Sequence, residues 1–278
     1  MLPPIDALLI GHVCRDEAPD GPRLGGTVTF SGLTAQALGL RTGIVTSAPD
    51  EMLPLLTPLD GLALQRIPSP QSTTFINRYV PQGRQQTISG RAAPLAWADI
   101  PGAWRSPPLA HIAPVADEID PEIVTRLQGA FIGLTPQGWM RGWDASGSVY
   151  FKGWSLPDDV LRRASAVVFS IEDVQGDEAL ARAMARLCPA LVVTRGAQGC
   201  TLFVDGEPRL IPAVPAREID PTGAGDIFAM AFFARLKATG SPAEAARFAS
   251  ALAGLSVART GLDSIPTRQE VDQTMRSA

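Results

Sequence analysis

The residues best suited to chemistry lie in one stretch near the C-terminal end of the chain, Glu218 to Leu236. It starts with the turn-forming and helix-starting residues DPTGAGD at 220–226 and becomes apolar at helical spacing from Ile227 onward. This pattern predicts a tight turn that opens into a buried helix, whose first N–H groups and dipole attract an anion such as phosphate. Because a carboxylate at Asp226 would repel that anion, we expect it to take a proton from a hydroxyl that attacks the phosphate.

The same residue types also cap ordinary helices, since Asp and Gly are common at helix N-termini. The complete string favours the chemical interpretation, because it resembles the D-T-G-A-G-D-x-F signature of the ribokinase-like carbohydrate kinases, the phosphofructokinase-B family, with Pro221 inserted. The resemblance assigns the anion hole for the transferred phosphate to Gly223, Ala224 and Gly225. It assigns the general base to Asp226.

The resemblance also implies cofactors, namely ATP and Mg²⁺, with K⁺ as a further candidate. Asp220 and Thr222 resemble positions that bind a monovalent cation in some family members. Glu172 and Asp173 follow a short apolar strand, where the family places an acid that helps to hold a magnesium–water cluster. Mg²⁺ keeps several waters and needs few protein ligands, so either acid suits it; alternatively, both cap a helix that starts near Gly176.

Asp16 is the candidate for recognising the acceptor. It lies five residues beyond Gly11, which ends an apolar run at 7–10 that is typical of a buried strand. In open α/β sheets ligands gather at the ends of such strands, and a carboxylate accepts hydrogen bonds from two neighbouring hydroxyls. The kinase family has a substrate-binding aspartate at this place; without the resemblance, a solvated loop charge is the simpler interpretation.

A glycine pair, Gly25-Gly26, precedes a predicted helix over 29–38. In the family such a pair lets the backbone approach the sugar closely. Most sugar kinases of the family have asparagine four residues after the second glycine, whereas this chain has Phe30. The string GGTVTF resembles instead the plant myo-inositol kinase branch, which has an aromatic residue there. The resemblance therefore implies a preference for a cyclitol over ribose, fructose phosphate or adenosine.

Residues 72–80 alternate as a strand, and a turn at Gly83 leads into a second strand over 85–89. This hairpin resembles the β lid that covers the sugar in the family, and the alternative is a hairpin that only extends the sheet. Its side chains include three candidate acceptor contacts, Asn77, Arg78 and Arg91.

Arg141 follows a predicted strand over 130–134, in a segment that again resembles the inositol kinase branch. We expect it to be a substrate-binding residue that contacts a phosphate or an acidic partner. The alternative is a surface ion pair with Asp144.

Two segments resemble the nucleotide site of the family. VVTRGAQGC at 192–200 is similar to V-T-x-G-x-x-G, whose threonine and glycines face the phosphates, although such a turn alone indicates only a β-turn. The alanine-rich helix predicted over 242–258 has small side chains that either line the adenine pocket or pack against the sheet. The residues assigned to the nucleotide are Thr194, Gly196, Gly199, Ala251, Gly254 and Gly261.

The elements that position these residues alternate along the chain. Short apolar runs and helical patterns follow each other in the βαβ order of a parallel sheet. The resemblance implies an α/β fold, a ribokinase-like three-layer αβα sandwich with a mainly parallel central sheet and a small β lid. We expect one kinase domain over 1–278, with the lid formed by segments near 12–26 and 70–95.

Composition excludes several other classes of protein. The net charge is −4, with 24 basic and 28 acidic residues and no long run of either sign, so no nucleic-acid or membrane partner is expected. The N-terminal apolar run is short and has no basic flank, which predicts a cytoplasmic protein. The three cysteines, at positions 14, 188 and 200, suit buried thiols, and two histidines are too few for a histidine-rich metal site.

The predicted function is an ATP-dependent kinase of a small polyol, with myo-inositol or a close cyclitol as the preferred acceptor. The resemblance covers residues 11–261, nearly the whole chain. A sugar or nucleoside kinase of the same family and a catalytically silent nucleotide-binding regulator are the alternatives, and a monomer or a homodimer is compatible with the sequence. The intact GAGD string at 223–226 argues against the silent regulator.

Overall fold

The computed structural model describes residues 2–18, 21–80 and 83–277. The strands of these residues are, in chain order, β1 (Ala7–Ile10), β2 (Cys14–Ala18), β3 (Gly21–Gly25), β4 (Thr42–Ala48), β5 (Ala63–Pro68), β6 (Thr73–Val80), β7 (Gly83–Gly90), β8 (Leu109–Ile112), β9 (Phe131–Leu134), β10 (Arg141–Trp143), β11 (Val149–Phe151), β12 (Ala166–Ser170), β13 (Ala190–Thr194), β14 (Cys200–Val204) and β15 (Glu207–Ile211). The α-helices are α1 (Thr27–Ala37), α2 (Glu122–Arg126), α3 (Asp158–Arg163), α4 (Glu178–Ala185), α5 (Ala224–Thr239), α6 (Pro242–Ser256) and α7 (Arg268–Ser277).

The central sheet has the strand order β15-β14-β13-β12-β9-β8-β1-β4-β5. Its pairs are parallel except for β13–β14 and β14–β15. A parallel strand that is covered by helices must be apolar on both faces. Strand β1 shows this, because Ala7 and Leu9 pack on one face while Leu8 and Ile10 pack on the other. The predicted mainly parallel sheet between helices is confirmed.

Each face of the sheet has its own helices and its own hydrophobic core. Residues of α1, α5, α6 and α7 belong to one core cluster, and residues of α2, α3 and α4 belong to the other. The longest helix, α5, is buried over most of its circumference, from Ile227 to Phe233. It ends at Gly240, whose left-handed backbone (φ 68) directs its N–H to the carbonyl of Leu236 at 2.8 Å.

A second sheet has the order β3-β2-β6-β7. Strand β2 pairs antiparallel with β3 and parallel with β6, and β6 and β7 form the predicted hairpin. These strands lie in the segments expected to form the lid, and the small β lid is confirmed. A separate hairpin, β10–β11, touches the lid through a bridge between Thr87 and Ser148.

Strands β2, β3 and β5 carry no clear strand signal in the sequence. Their charged residues, glycines and prolines lack the alternation that marks a half-buried strand. They form because neighbouring strands supply backbone partners, which short sequence windows do not reveal. Among the described helices, none combines the length and hydropathy that a bilayer span requires.

His111 on β8 generates a testable prediction of pH-dependent stability. Its ring is fully buried, Nε2 lies 3.0 Å from the Thr135 hydroxyl, and burial lowers its pKa from 6.5 to about 3. The folded chain thus holds the ring neutral while the unfolded chain protonates it below pH 6.5. Its contribution to stability is complete above pH 6.5 and is lost as the pH falls toward about 3.

We expect wild type to lose about 2 kcal/mol more stability than His111→Leu between pH 7 and pH 5, because the variant lacks the titrating ring. Urea denaturation at both pH values measures this difference. An equal pH response in both proteins would contradict the neutral buried ring.

Candidate active site

The start of α5 is a turn that only glycine fits. Gly223 has a φ of 79 and precedes the helix, and a Cβ placed on it would overlap the ring of Phe30. Phe30 lies on α1 and is 3% exposed, so its ring supports the turn from within the core. A Cβ on Gly225 would instead meet open space. The turn is therefore backed by an aromatic ring on one side and open at Gly225 on the other, where an anion can approach the helix start, while the N–H of Ala224 donates to the carbonyl of Pro221 at 3.1 Å.

Asp226 lies in the first turn of α5 and is half-buried. Its backbone carbonyl accepts a hydrogen bond from Ser31 Oγ of α1 at 3.0 Å. Together with the contact between Phe30 and Gly223, this bond joins α1 to the start of α5. The helix after the glycine pair thus fixes the backbone of Asp226 at the start of α5.

The loop before this turn is ordered by Asp220. Its carboxylate accepts hydrogen bonds from the N–H groups of Thr222 at 2.9 Å and Gly261 at 3.3 Å. Burial opposes ionisation, but these hydrogen bonds outweigh it and hold the pKa of Asp220 below its usual value. The N–H groups of Ile219 and Asp220 both donate to the carbonyl of Val257. The loop with the inserted proline is thereby attached to the segment that follows α6.

On the lid side, Asp16 lies on β2 against Gly25. A Cβ on Gly25 would overlap the carboxylate of Asp16, and a Cβ on Gly26 (φ 92) would lie 2.5 Å from the carbonyl oxygen of His12. The glycine pair is therefore required by the close approach of β2 and β3 to the start of α1. It places the carboxylate of Asp16 beside the backbone of Gly25 at the end of β3.

Charged residues of the lid and of the α5 turn both influence the buried thiol of Cys14. The pKa of Cys14 is raised well above its usual value, first by complete burial and then by the carboxylates of Asp16 and Glu118. Arg141 opposes the shift and Asp226 adds to it. The predicted acceptor residue, the predicted base and Arg141 therefore all lie within electrostatic range of the Cys14 thiol.

Arg141 is held by several neighbours. Its guanidinium donates to the side chain of Gln137 at 2.7 Å and to the carbonyl of Val115 at 3.2 Å, and it lies 5.9 Å from the centre of the Phe75 ring on the lid. Its carboxylate partner, at 3.8 Å, is Asp173. The alternative pairing with Asp144 is wrong, because that carboxylate binds Ser146 and Ser148 of its own turn.

The two acids after β12 differ in their surroundings. Asp173 accepts the N–H of Ser170 at 2.9 Å and caps a short 3₁₀ turn, Ile171–Val174, whereas Glu172 is exposed. No group of three or more His, Cys, Asp or Glu within the described ranges could hold a metal by itself. One outward carboxylate next to a paired one nonetheless suits a hydrated Mg²⁺, which needs few protein ligands.

The residues assigned to the nucleotide lie at two places. Thr194 ends β13, and its hydroxyl donates to the carbonyl of Phe169 at 3.5 Å, while Gly196 and Gly199 both have positive φ in the turn that follows. The remaining three are Ala251, Gly254 and Gly261, all half-buried. A Cβ on Gly254 would lie 3.3 Å from Val214, so Gly254 faces the exposed segment that precedes Asp220.

Two of the lid side chains expected to contact the acceptor form hydrogen bonds within the protein. Asn77 accepts a hydrogen bond from Gln86 at 2.9 Å, and Arg91 donates to the carbonyl of Asp117. The side chain of Arg78 lies outside the described residues.

Glu118 is a functional candidate that the sequence does not reveal. It is 1% exposed, and its carboxylate accepts N–H groups from His12, Val115 and Ala116. An acidic residue shortly after a strand is too common a pattern to predict that its carboxylate is buried and accepts three backbone N–H groups.

Comparison with known proteins agrees with this geometry. Residues 166–268 match the family model of the pfkB family carbohydrate kinases. A cytidine kinase from Thermococcus kodakarensis is 28% identical over 255 residues, which cover 83% of this chain and 88% of that protein. An inositol 3-kinase from Oryza sativa subsp. japonica is 33% identical over 90 residues, 32% of this chain and 23% of that protein.

A solved structure also shares the fold. It is a pyrophosphate-dependent kinase in the ribokinase family complexed with a pyrophosphate analog and myo-inositol, with a TM-score of 0.80 and 21% identity. The match covers 96% of this chain and 99% of that chain.

The contact between Phe30 and Gly223 predicts that alanine is tolerated at Gly225 but destabilises the protein at Gly223. Gly223→Ala introduces a Cβ at a positive φ and against the ring, so we expect it to destabilise the protein by about 2–4 kcal/mol. Gly225→Ala is the matched control, because its Cβ enters open space, and its stability should stay within about 0.5 kcal/mol. Denaturant unfolding of both variants measures this, and equal losses of stability would contradict the contact.

Proposed function

Because the chain carries a pfkB family carbohydrate kinase domain, a phosphotransferase that acts on a hydroxyl group, we propose that its acceptor is myo-inositol or a closely related cyclitol and that its donor is ATP. The observation that carries the acceptor proposal is the position of Asp16. Its carboxylate lies against Gly25, next to the glycine pair, and acts on the same buried thiol as Asp226 and Arg141. A carboxylate in this position can accept two neighbouring hydroxyls of a ring while a third hydroxyl faces the base.

The proposed reaction assigns a step to each group. Asp226 takes the proton of the acceptor hydroxyl, and that oxygen attacks the terminal phosphorus of the donor in line. A new P–O bond forms while the bond to the leaving phosphate oxygen breaks. The N–H groups of residues 223–226, including Gly223, Ala224 and Gly225, stabilise the charge that develops on the transferred group. Arg141, paired with Asp173 at 3.8 Å, would orient the phosphate or the acceptor.

The ions are proposed from the donor groups of the site. Mg²⁺, held through water by Glu172 and Asp173, would neutralise charge on the donor phosphates. A monovalent cation such as K⁺ would bind near Asp220 and Thr222, whose carboxylate and loop carbonyls are oxygen ligands. Asp220 also orders its own loop through two hydrogen bonds, so it has a structural role whether or not a cation binds.

The donor is proposed to lie along Thr194, Gly196 and Gly199, with adenine near Ala251, Gly254 and Gly261. Positive φ at the two turn glycines directs backbone N–H groups in a way that suits phosphate oxygens. Pyrophosphate is the alternative donor, since a protein of the same fold is described as pyrophosphate-dependent. A nucleoside acceptor is the alternative acceptor, in view of the related cytidine kinase.

A panel of substrates tests the proposed acceptor and donor. We expect kcat/KM for myo-inositol to exceed the values for ribose and cytidine, and ATP to support turnover better than pyrophosphate. Coupled assays of each acceptor with each donor measure these ratios. Faster turnover of ribose or cytidine than of any cyclitol would overturn the acceptor proposal while leaving the kinase assignment in place.

Replacement of the base tests the mechanism. Asp226→Asn retains the shape of the side chain but removes the proton acceptor, so kcat should fall by roughly 10² or more with little change in donor affinity. Steady-state kinetics gives kcat, and equilibrium binding of the nucleotide gives the donor affinity. A variant that turns over at nearly the wild-type rate would show that Asp226 is not the base.

Asp16→Ala tests acceptor recognition. Loss of a charged hydrogen-bond acceptor costs about 1.5–3 kcal/mol, so KM for the acceptor should rise roughly tenfold or more. The control is KM for the donor, which should stay unchanged because Asp16 lies on the lid. An unchanged acceptor KM would refute this role.

A further inference from the structure

The joint between the lid and the central sheet is a buried polar network centred on His12. This residue follows β1 and is 0% exposed. Its Nδ1 lies 2.7 Å from the hydroxyl of Thr73, which starts β6, and its Nε2 lies 2.9 Å from the carbonyl oxygen of Ala93, three residues after β7. One imidazole therefore binds both ends of the lid hairpin to the central strand.

The partners determine the tautomer of this ring. A carbonyl oxygen can only accept, so Nε2 must carry the proton that it donates to Ala93. Nδ1 then accepts from the Thr73 hydroxyl, whose oxygen in turn accepts the N–H of Ala92 at 3.0 Å. Burial lowers the pKa of His12, although Glu118 opposes this, which agrees with a neutral ring. Both ring nitrogens and the proton of the hydroxyl are thus used.

The backbone at His12 and Val13 is also fixed by hydrogen bonds. Its N–H donates to Glu118 at 3.0 Å, and the next N–H, that of Val13, donates to the hydroxyl of Thr46 on β4 at 2.8 Å. The segment between β1 and the lid is therefore attached to a neighbouring strand and to the loop after β8. These bonds fix the position of the base of the lid relative to the central sheet. We call this group of bonds around His12 the joint.

The joint lies close to the proposed acceptor residue. Asp16 is four residues beyond His12, and on the lid it pairs in register with Phe75, two residues beyond Thr73. A shift of the hairpin relative to β1 would therefore move Asp16 and Phe75 together. Since Asp226 is anchored separately through α1, such a shift would change the distance between the acceptor contact and the base.

We propose that His12 is a positioning residue that sets the lid, and with it Asp16, at the place where the acceptor is bound. This inference rests on the proposed function only in taking Asp16 as the acceptor contact. It assigns to His12 no contact with substrate and no proton transfer.

Three substitutions separate the two hydrogen bonds of the ring. His12→Asn keeps an acceptor at the position of Nδ1, His12→Gln keeps a donor at the position of Nε2, and His12→Leu removes both. We expect His12→Leu to raise the acceptor KM about tenfold or more and to lower kcat, because the bound acceptor moves relative to Asp226, with the donor KM within about twofold of wild type. The Asn and Gln variants should each recover part of that loss.

His111→Leu is the matched control, since it removes the other buried histidine, whose ring bonds Thr135 and not the lid. A purely structural role of His12 would make both leucine variants less stable to a similar degree and would leave the acceptor KM of both unchanged. That result would overturn the proposal.

Amide hydrogen exchange gives a readout that does not depend on activity. In His12→Leu, exchange in the lid strands at 73–77 and 85–90 should accelerate at least about tenfold, while β8 and β9 stay protected. Unchanged exchange in the lid of His12→Leu would overturn the role of His12, whatever the wild type phosphorylates. If the wild type phosphorylates no cyclitol but exchange in the variant rises as expected, only the proposed function is refuted. If His12→Leu does not fold, Thr73→Val, compared with Thr73→Ser, removes the same bond and is measured in the same way.

Discussion

The close contact between the Phe30 ring and Gly223 is the constraint on which the site depends. It joins the helix that follows the glycine pair near the start of the chain to the turn that opens α5, almost two hundred residues later. Because the ring occupies the space of a side chain at 223 and the backbone there is left-handed, only glycine fits this position. The sheet makes this contact possible by burying α1 and α5 in the same core.

Four charged side chains lie within electrostatic range of one buried thiol, that of Cys14. They are Asp16, Glu118, Arg141 and Asp226, and none of them belongs to the same element as another. Removing these charges from water costs free energy, and hydrogen bonds and ion pairs to each charged group offset that cost. Glu118 accepts three backbone N–H groups, and Arg141 has a side chain, a carbonyl and a carboxylate as partners.

The turn and helix of the proposed catalytic motif could be predicted from the sequence because the pattern is local. A glycine turn followed at once by a buried helix is written in consecutive residues, and the structure places Gly223 and α5 as that pattern indicates. The partner of Arg141 could not be predicted in this way. Asp144 is near it in sequence, but Asp173 is near it in space, since the carboxyl ends of β9 and β12 are neighbours in the sheet. The same applies to Phe30, whose aromatic character the sequence shows but whose burial against Gly223 it does not.

The sequence by itself determined the α/β class, the mainly parallel sheet, the lid hairpin and the turn before α5, because each depends on hydrophobic periodicity and turn residues within a short window. Tertiary structure decided the lid strands β2 and β3, the ion pair of Arg141 and the joint at His12. These depend on hydrogen bonds and ion pairs between residues far apart in sequence, and a buried polar group is recognisable as functional only when its partners are known. The physical reason is that local patterns encode which surface is buried, whereas the packed chain alone brings distant polar groups within bonding distance.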